Sequence, residues 1–323
     1  MFCGSDSPAK SKPFGKGHLP VLLREVLGLF EVSDGKKYLD ATFGGGGHTR
    51  ALLESGPSVS VVAIDCDPEA AERAHELSQL FPGRFRFYDL NFSELNRVEE
   101  SGFDGVLFDY GVSSFHFDQP ERGFSFRSDA PVDMRMNPRV GQSAAEFLEN
   151  ASREELIRAI KIYGEETSWR RIVDAILNAR GTDVLYNTTS LATLIFNTIP
   201  APVRRKSKLN PATKTFQGLR IAINRELEVI ETALPKAFNL LAPDGVLAAI
   251  SFHSLEDRIV KRYFRTLCGQ PVDRRDNTPQ QLRTVVAEPL SRKPITATPE
   301  EIAQNPRSRS AKLRAVRKLV GLS

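Results

Sequence analysis

Residues 37–48 read KYLDATFGGGGH, and this stretch decides the fold. A short apolar run, 37–41 (KYLDA), leads into a turn in which four consecutive glycines occupy 44–47, and His48 opens a segment, 48–55, suited to a helix. Glycine permits positive φ and lets the backbone approach a ligand closely, while the first amides of a helix point outward as donors. The pattern is strand, glycine turn, helix. Working outward, 59–64 (VSVVAI) is a β-branched run ending at Asp65, and 68–80 follows as a helix with Pro68 in its first turn. A third strand is predicted at 85–88, and a fourth, 106–108, ends at Asp109. Strands alternating with helices imply βαβ units and a parallel sheet, so the predicted class is α/β, doubly wound.

The alternation lapses after Asp109. Residues 113–210 show turns and helical stretches (152–163, 168–178) without a clear buried strand. From 211 to 241 the apolar residues Phe216, Leu219, Ile223, Leu227, Ile230 and Leu234 recur three and four apart, predicting one long amphipathic helix. Asp244-Gly245 marks a turn and 246–250 (VLAAI) a strand. Ser254 with Asp257 fits a capping box opening a helix over 255–267. The simplest organisation is a flexible leader (1–17), one α/β domain assembled from 18–112 and 211–323, and an inserted helical domain, 113–210. An insertion between the fourth and fifth strands lies at the strands' C-terminal ends, where open α/β sheets bind ligands, which makes it a candidate substrate-recognition domain.

Composition narrows the classes. The chain has 323 residues, 41% hydrophobic and 26% charged, which argues against wholesale disorder. No apolar run approaches the roughly 20 residues of a membrane span, and the leader lacks the apolar core of a secretory signal. Cys3, Cys66 and Cys268 stand far apart with no C-x-x-C pair, which disfavours a disulfide framework or zinc site and suits a reducing cytoplasm. No metal is expected. Net charge is only +4, but cations concentrate in two places: six between 307 and 318 with no acid, and Arg204, Arg205, Lys206, Lys208 and Lys214. Such stripes are a footprint of phosphate binding, or simply a solvated tail and loop.

The acidic strand ends refine the chemistry. A dinucleotide fingerprint counted from Gly44 and Gly46 needs glycine at 49, where Thr49 stands. Asp65, nearly 20 residues beyond the glycines, is placed to accept from ribose hydroxyls of a nucleoside cofactor, NAD or S-adenosylmethionine. Asp40 suits a cationic, amino-acid-bearing cofactor better than a pyrophosphate; alternatively it only caps the turn. Asp109 is placed to accept a hydrogen bond from an amine nucleophile as a methyl group moves, or else only to hold the cofactor or a backbone amide.

Several ordered blocks resemble the ribosomal RNA small subunit methyltransferase H family: HLPVLL (18–23), the glycine run to His48, FDYGVSS (108–114), ERGFSF (121–126), DMRM (133–136), NPATKTFQ (210–217), SFHSLEDR (251–258) and NPRSRSAKLR (305–314). The resemblance implies a class I, Rossmann-like S-adenosylmethionine methyltransferase sheet carrying the inserted helical substrate-recognition domain. It implies methylation of the exocyclic N4 amine of a cytidine in the decoding region of 16S ribosomal RNA, within the small ribosomal subunit. Carried over by position, Gly46, Gly47 and His48 line the methionine and ribose side, Asp65 binds the ribose, Phe92 packs near the adenine, and Asp109 is both cofactor contact and catalytic residue. His116 stands where glutamine is usual and Phe115 where proline is usual, which makes the His116 contact a departure. Gly218 stands where alanine is common, a change expected to matter little.

Other motifs admit two uses each. Arg122, Arg127 and Arg135, interleaved with Phe124 and Phe126, either bind phosphates and stack a displaced base, the use favoured here, or fix a loop onto the sheet. His253 either faces the active site or caps a helix. The tail from Arg307 either clamps RNA or docks back through Leu313 and Val316 at helical spacing. Cys66 lies on the cofactor side, so no covalent cysteine step is expected. Two rival functions remain, a nicotinamide dehydrogenase and a non-catalytic RNA-binding or ribosome-assembly factor.

Overall fold

The computed structural model describes residues 19–111, 118–206 and 210–321. The proposed leader, His116 and Phe115 lie outside them.

The predicted alternation is present: α1 (Leu23–Phe30), β1 (Lys37–Asp40), α2 (Gly47–Glu54), β2 (Ser60–Asp65), α3 (Pro68–Leu80), β3 (Phe85–Asp89) and β4 (Phe103–Asp109). Among the described residues the sheet has seven strands in the order β3-β2-β1-β4-β5-β7-β6. β5 is Leu241–Ser251, β6 Ala287–Pro289 and β7 Lys312–Lys318. The pairings among β1 to β5 are parallel, while β7 runs antiparallel between β5 and β6. The order reverses at β1, with β2 and β4 on its two sides, the switch point where such sheets open a crevice. β1, β2, β3 and β4 each end in an aspartate: Asp40, Asp65, Asp89 and Asp109.

The strands read as near-continuous apolar runs because both faces are covered. One face packs Val62, Ile64, Phe108 and Leu247 against Ile230, Leu234 and Phe264. The other packs Tyr38, Val61, Leu107 and Ile250 against Val26, Leu52 and Leu77.

The C-terminal segment corrects the expected helical docking of a basic tail. It is strand β7, and Leu313 and Val316, both fully buried, fall in opposite cores. Three residues apart is a spacing that a helix puts on one face and a strand puts on two. Burying each contributes about 1.5–3 kcal/mol, so the tail is a structural strand. Arg314 is held by Asp257 at 2.7 Å and Arg317 by Glu31 at 2.8 Å.

Residues 144–206 are helical in the main: α4 (Ala144–Asn150), α5 (Arg153–Ile157) continuing as a π-helical turn (Arg158–Tyr163), α6 (Trp169–Ala179), α7 (Thr188–Thr198) and α8 (Ala201–Lys206). They enclose a third core containing Leu148, Ile172, Ile176, Leu191 and Ile195. The long helix expected over 211–241 is instead two, α9 (Thr213–Asn224) and α10 (Glu226–Leu240), separated at Arg225 with φ 49°. The break lets Phe216 and Leu219 serve the helical core while Ile230 and Leu234 serve the sheet. α9 lies so close to the π-helical turn that a Cβ on Gly218 would stand 2.1 Å from the Ala159 carbonyl oxygen. The expectation that alanine there is a small change is therefore wrong. The last large helix is α11 (Ser254–Leu267), followed by the short α12 (Pro299–Gln304). The N-cap of α11 is His253, one residue before the expected Ser254; its Nδ1 accepts from the Glu256 amide at 3.4 Å.

Candidate active site

The glycine turn follows β1 and is tied to both neighbouring strands: Ala41 N donates to Leu107 O at 2.9 Å and Phe43 N to Ile64 O at 3.0 Å. Gly44 and Gly46 have φ of 50° and 73°. A Cβ on Gly46 would meet the Phe43 ring at 2.8 Å, and one on Gly47 would meet Pro20 at 2.5 Å. These glycines are thus required by packing as well as by any ligand. Residues 19–22 are themselves held by the C-terminal segment, through Asn305 Nδ2 to Leu19 O at 3.0 Å and Leu22 N to Glu301 Oε1 at 2.8 Å.

Asp40 is 1% exposed and accepts from the Thr49 hydroxyl at 2.7 Å and the Thr42 amide at 3.2 Å. Burial raises its carboxyl above the usual range despite those bonds. Of the two uses foreseen for Asp40, these contacts are those of turn capping. Thr49, where a dinucleotide fingerprint has glycine, supplies the partner.

Asp65 ends β2 and accepts from the Gly44 amide at 2.7 Å and the Asp67 amide at 2.9 Å. Asp67 caps α3 through the Glu69 amide and faces Arg122 Nη1 at 3.3 Å. Arg122 is 10% exposed and Asp67 3%; its other terminal nitrogen donates to the carbonyls of Arg135 and Met136 at 3.2 and 2.9 Å. Arg135 chelates Asp133 with Nε at 2.8 Å and Nη2 at 2.7 Å. Phe124 is buried, and Phe126 packs edge-on against Phe216 with ring centroids 4.9 Å apart. The favoured RNA-contact reading of Arg122 and Arg135 is thereby corrected. They fix the loop, because a guanidinium that is mostly buried needs several acceptors at once.

Asp109 ends β4 beside β5, its amide donating to the Thr42 hydroxyl at 2.6 Å. Its side chain keeps 24% of its surface, and Oδ2 lies 3.7 Å from His48 Nδ1. His48 Nε2 is 3.0 Å from Val21 O, which as hydrogen donor leaves Nδ1 the unprotonated nitrogen. Burial pulls the imidazole down to about 4, against the opposing pull of the Val21 carbonyl. At neutral pH the pair is a neutral imidazole against a carboxyl group, not an ion pair. Burial first, then the charges of Asp40 and Glu256, hold the Asp109 carboxyl well above the usual carboxylate range. Oδ1 is buried with no hydrogen-bond partner among the described residues. Phe92, on a 3₁₀ turn after β3 (Phe92–Arg97), stacks edge-on to Phe108 at 5.7 Å and tilts against Tyr110 at 5.9 Å.

Sequence reasoning missed the polar network below Asp109. Glu256, fully buried, accepts from the Phe252 amide at 2.7 Å and lies 3.0 Å from His253 Nε2, in proximity rather than in hydrogen-bond alignment. Burial raises its carboxyl, but His253, Arg220 and the Phe252 amide prevail and hold it below the usual range. Arg220 donates to both oxygens of Glu226 at 2.8 Å and lies 3.9 Å from Glu256. The ligand atoms of Glu226, His253 and Glu256 lie within 4.8 Å of one another, and Arg220 supplies the positive charge between the two carboxylates. His253 is therefore occupied in capping. The signal for Glu256 was a buried acid in the first turn of a helix, read one residue out of frame. Cys66 stays protonated: burial, then Asp65 and Asp67, push its thiol up to about 12.

The profile of the MraW methylase family matches residues 15–319. The chain belongs to that family. It is 45% identical over 314 residues to ribosomal RNA small subunit methyltransferase H of Nitrosococcus oceani, covering 93% of this chain and 96% of that one. The protein of the same name from Thermomicrobium roseum is 44% identical over 323 residues, covering 96% of each. Among solved structures, an rRNA methylase from Streptococcus thermophilus matches with TM-score 0.40 and 12% identity, over 90% of this chain and 92% of that one. A likeness that weak says nothing about chemistry. For this MraW-family chain, no helix among the described residues is long and apolar enough to cross a membrane.

Proposed function

We propose that this chain transfers the methyl group of S-adenosylmethionine to the exocyclic N4 amine of a cytidine in the decoding region of 16S ribosomal RNA, presented within the small ribosomal subunit. The observation that carries the reading is Asp109: a carboxyl at the switch point, with one buried oxygen unpartnered among the described residues and a raised affinity for protons. The names of the relatives supply the substrate class.

The residues present fit the cofactor. The start of α2 at Gly47 and His48 offers helix N-terminal donors, Asp65 is oriented by two amides for ribose hydroxyls, and Phe92 offers an aromatic face for the adenine. Gly46, Gly47 and His48 line the methionine side, and His116 is retained as a further cofactor contact. The carboxylate of Asp65 at the end of β2 suits a cationic, hydroxyl-bearing nucleoside cofactor better than a pyrophosphate. When bound, the cofactor supplies an already activated methyl group.

The chain's part is then alignment and proton handling. The amine lone pair of cytosine is delocalised into the ring. A hydrogen bond from N4–H to Asp109 draws the proton away while nitrogen gains its bond to the methyl carbon, whose bond to sulfur would break with the electron pair left on sulfur. Asp109 accepts that proton and releases it to solvent, and His48, neutral, leaves the carboxylate without a competing cation. A paired cytosine hides its amine, so the base enters unpaired or flipped. The helical insertion, 113–210, is the recognition domain in this reading, extended by the packing of Phe216 and Leu219 through α9.

The test is incubation of small subunits lacking the modification, and of protein-free 16S RNA, with labelled S-adenosylmethionine. Label recovered in RNA with wild type and lost with Asp109→Ala supports the reading. Cofactor binding without label in either substrate sinks it in favour of a binding factor.

A further inference from the structure

Between Asp183 and Glu226 lie 42 residues without one acidic side chain, carrying seven cations. Several are engaged locally: Arg220 with Glu226, Arg225 with Glu228, and Lys214 Nζ with the Glu165 carbonyl at 3.0 Å. Arg204 and Arg205 on α8 are not. Among the described residues neither is within ion-pair reach of a carboxylate. Arg204 instead sits over an aromatic ring, its guanidinium carbon 4.0 Å from the centroid of Phe196 on α7. Phe196 is nonetheless 44% exposed, and Val203 beside Arg204 in sequence is 41% exposed. The neighbouring exposed residues Thr193 and Asn197 on α7 and Arg205 on α8 are polar or cationic.

We infer that the Phe196–Arg204 stack is a docking platform for an unpaired segment of the RNA substrate, separate from the Asp109 pocket. An exposed aromatic face is unfavourable in water and finds a sequence-tolerant partner in the π-face of a base. A guanidinium stacked on that ring keeps its in-plane donors directed outward, where phosphate oxygens match their fork. The absence of carboxylates over 42 residues removes the repulsion that a polyanion would meet. Charge complementarity selects RNA over an apolar protein face. This assignment rests on the RNA-methylating reading and adds to it a place where the substrate is gripped away from the chemistry.

The test separates the two. Fluorescence anisotropy with a labelled single-stranded oligoribonucleotide reads the platform directly, with no turnover required. Arg204→Glu with Arg205→Glu should weaken binding by at least about tenfold and lower the salt slope by roughly 1.4, about 0.7 for each phosphate contact on a single strand. Phe196→Ala should weaken it by about five- to tenfold and Phe196→Trp should restore it. On small subunits the same variants should raise KM with kcat and cofactor affinity unchanged. Wild-type binding unaltered by either change overturns the platform, whether or not methylation is observed. A KM effect on intact subunits with none on the oligoribonucleotide or protein-free 16S RNA also overturns it, because the surface then meets a ribosomal protein. Absence of methylation by wild type, with oligonucleotide binding sensitive to these residues, leaves the platform standing and sinks the catalytic reading instead.

Discussion

The Gly44 amide donates to Asp65 Oδ2 at 2.7 Å, joining the glycine turn after β1 to the end of β2. The second carboxylate oxygen takes the Asp67 amide, so the acid is aimed by two backbone donors before any ligand arrives. A carboxylate has about four acceptor directions, which lets it take ribose hydroxyls as well. Asp65→Ala should lower S-adenosylmethionine affinity by about ten- to a hundredfold, the worth of one or two charge-assisted hydrogen bonds. Calorimetric titration checks this, and an unchanged Kd would move the ribose elsewhere.

The same chain of contacts reaches the insertion. Arg122 sits 3.3 Å from Asp67 and on two carbonyls of the Asp133–Met136 loop, so it clasps the helical part to the cap of α3. Removing one partner of a buried pair leaves the other uncompensated and costs about 3–5 kcal/mol. Arg122→Ala should lose stability of that order in urea denaturation. Cofactor affinity should drop with it, since Asp67 helps orient Asp65.

Asp109 makes rate and stability depend on pH in opposite senses. Its folded-state carboxyl binds protons well above the ordinary range, through burial and the charges of Asp40 and Glu256. Below the unfolded carboxylate range it is neutral in both states and costs nothing. As pH rises past that range towards its raised folded value, ionisation increasingly destabilises the fold. Methyl transfer needs the ionised form, so the single-turnover rate should fall as pH drops through that raised range. Glu256→Gln, which removes one negative neighbour, should move that acid limb to lower pH. Asp109→Asn should cost about a hundredfold or more in rate, yet raise Tm at neutral pH. A parallel loss of rate and Tm would contradict this assignment.

Gly218→Ala tests the fold rather than the chemistry. A Cβ there has the Ala159 carbonyl oxygen at 2.1 Å and Gly164 N at 2.8 Å, both backbone atoms. Overpacking of this kind costs about 1–3 kcal/mol, and differential scanning calorimetry should show a lowered Tm with cofactor affinity nearly unchanged.

Much of this was legible in the residues. The β-branched runs ending in Asp65 and Asp109, and the glycines before His48, are local signals, and the parallel sheet follows from them. β7 was not legible, because a strand inserted between β5 and β6 is made by pairing, along both its edges, with residues far away in sequence. Its Leu313 and Val316 carry no period that separates strand from helix. The break at Arg225 was hidden for a related reason: α9 and α10 keep one apolar period while facing two different cores. Arg122 looked like a phosphate ligand because charge is visible in sequence and burial is not. Glu256 and Arg220 were missed because buried charge pairing is a tertiary property.

The most direct measurement is nucleoside analysis of 16S RNA from unmodified small subunits after reaction with labelled S-adenosylmethionine. Label is expected in N4-methylated cytidine, present with wild type and absent with Asp109→Ala that still binds cofactor. Label in another nucleoside or in ribosomal protein, or label undiminished by Asp109→Ala, would contradict that expectation.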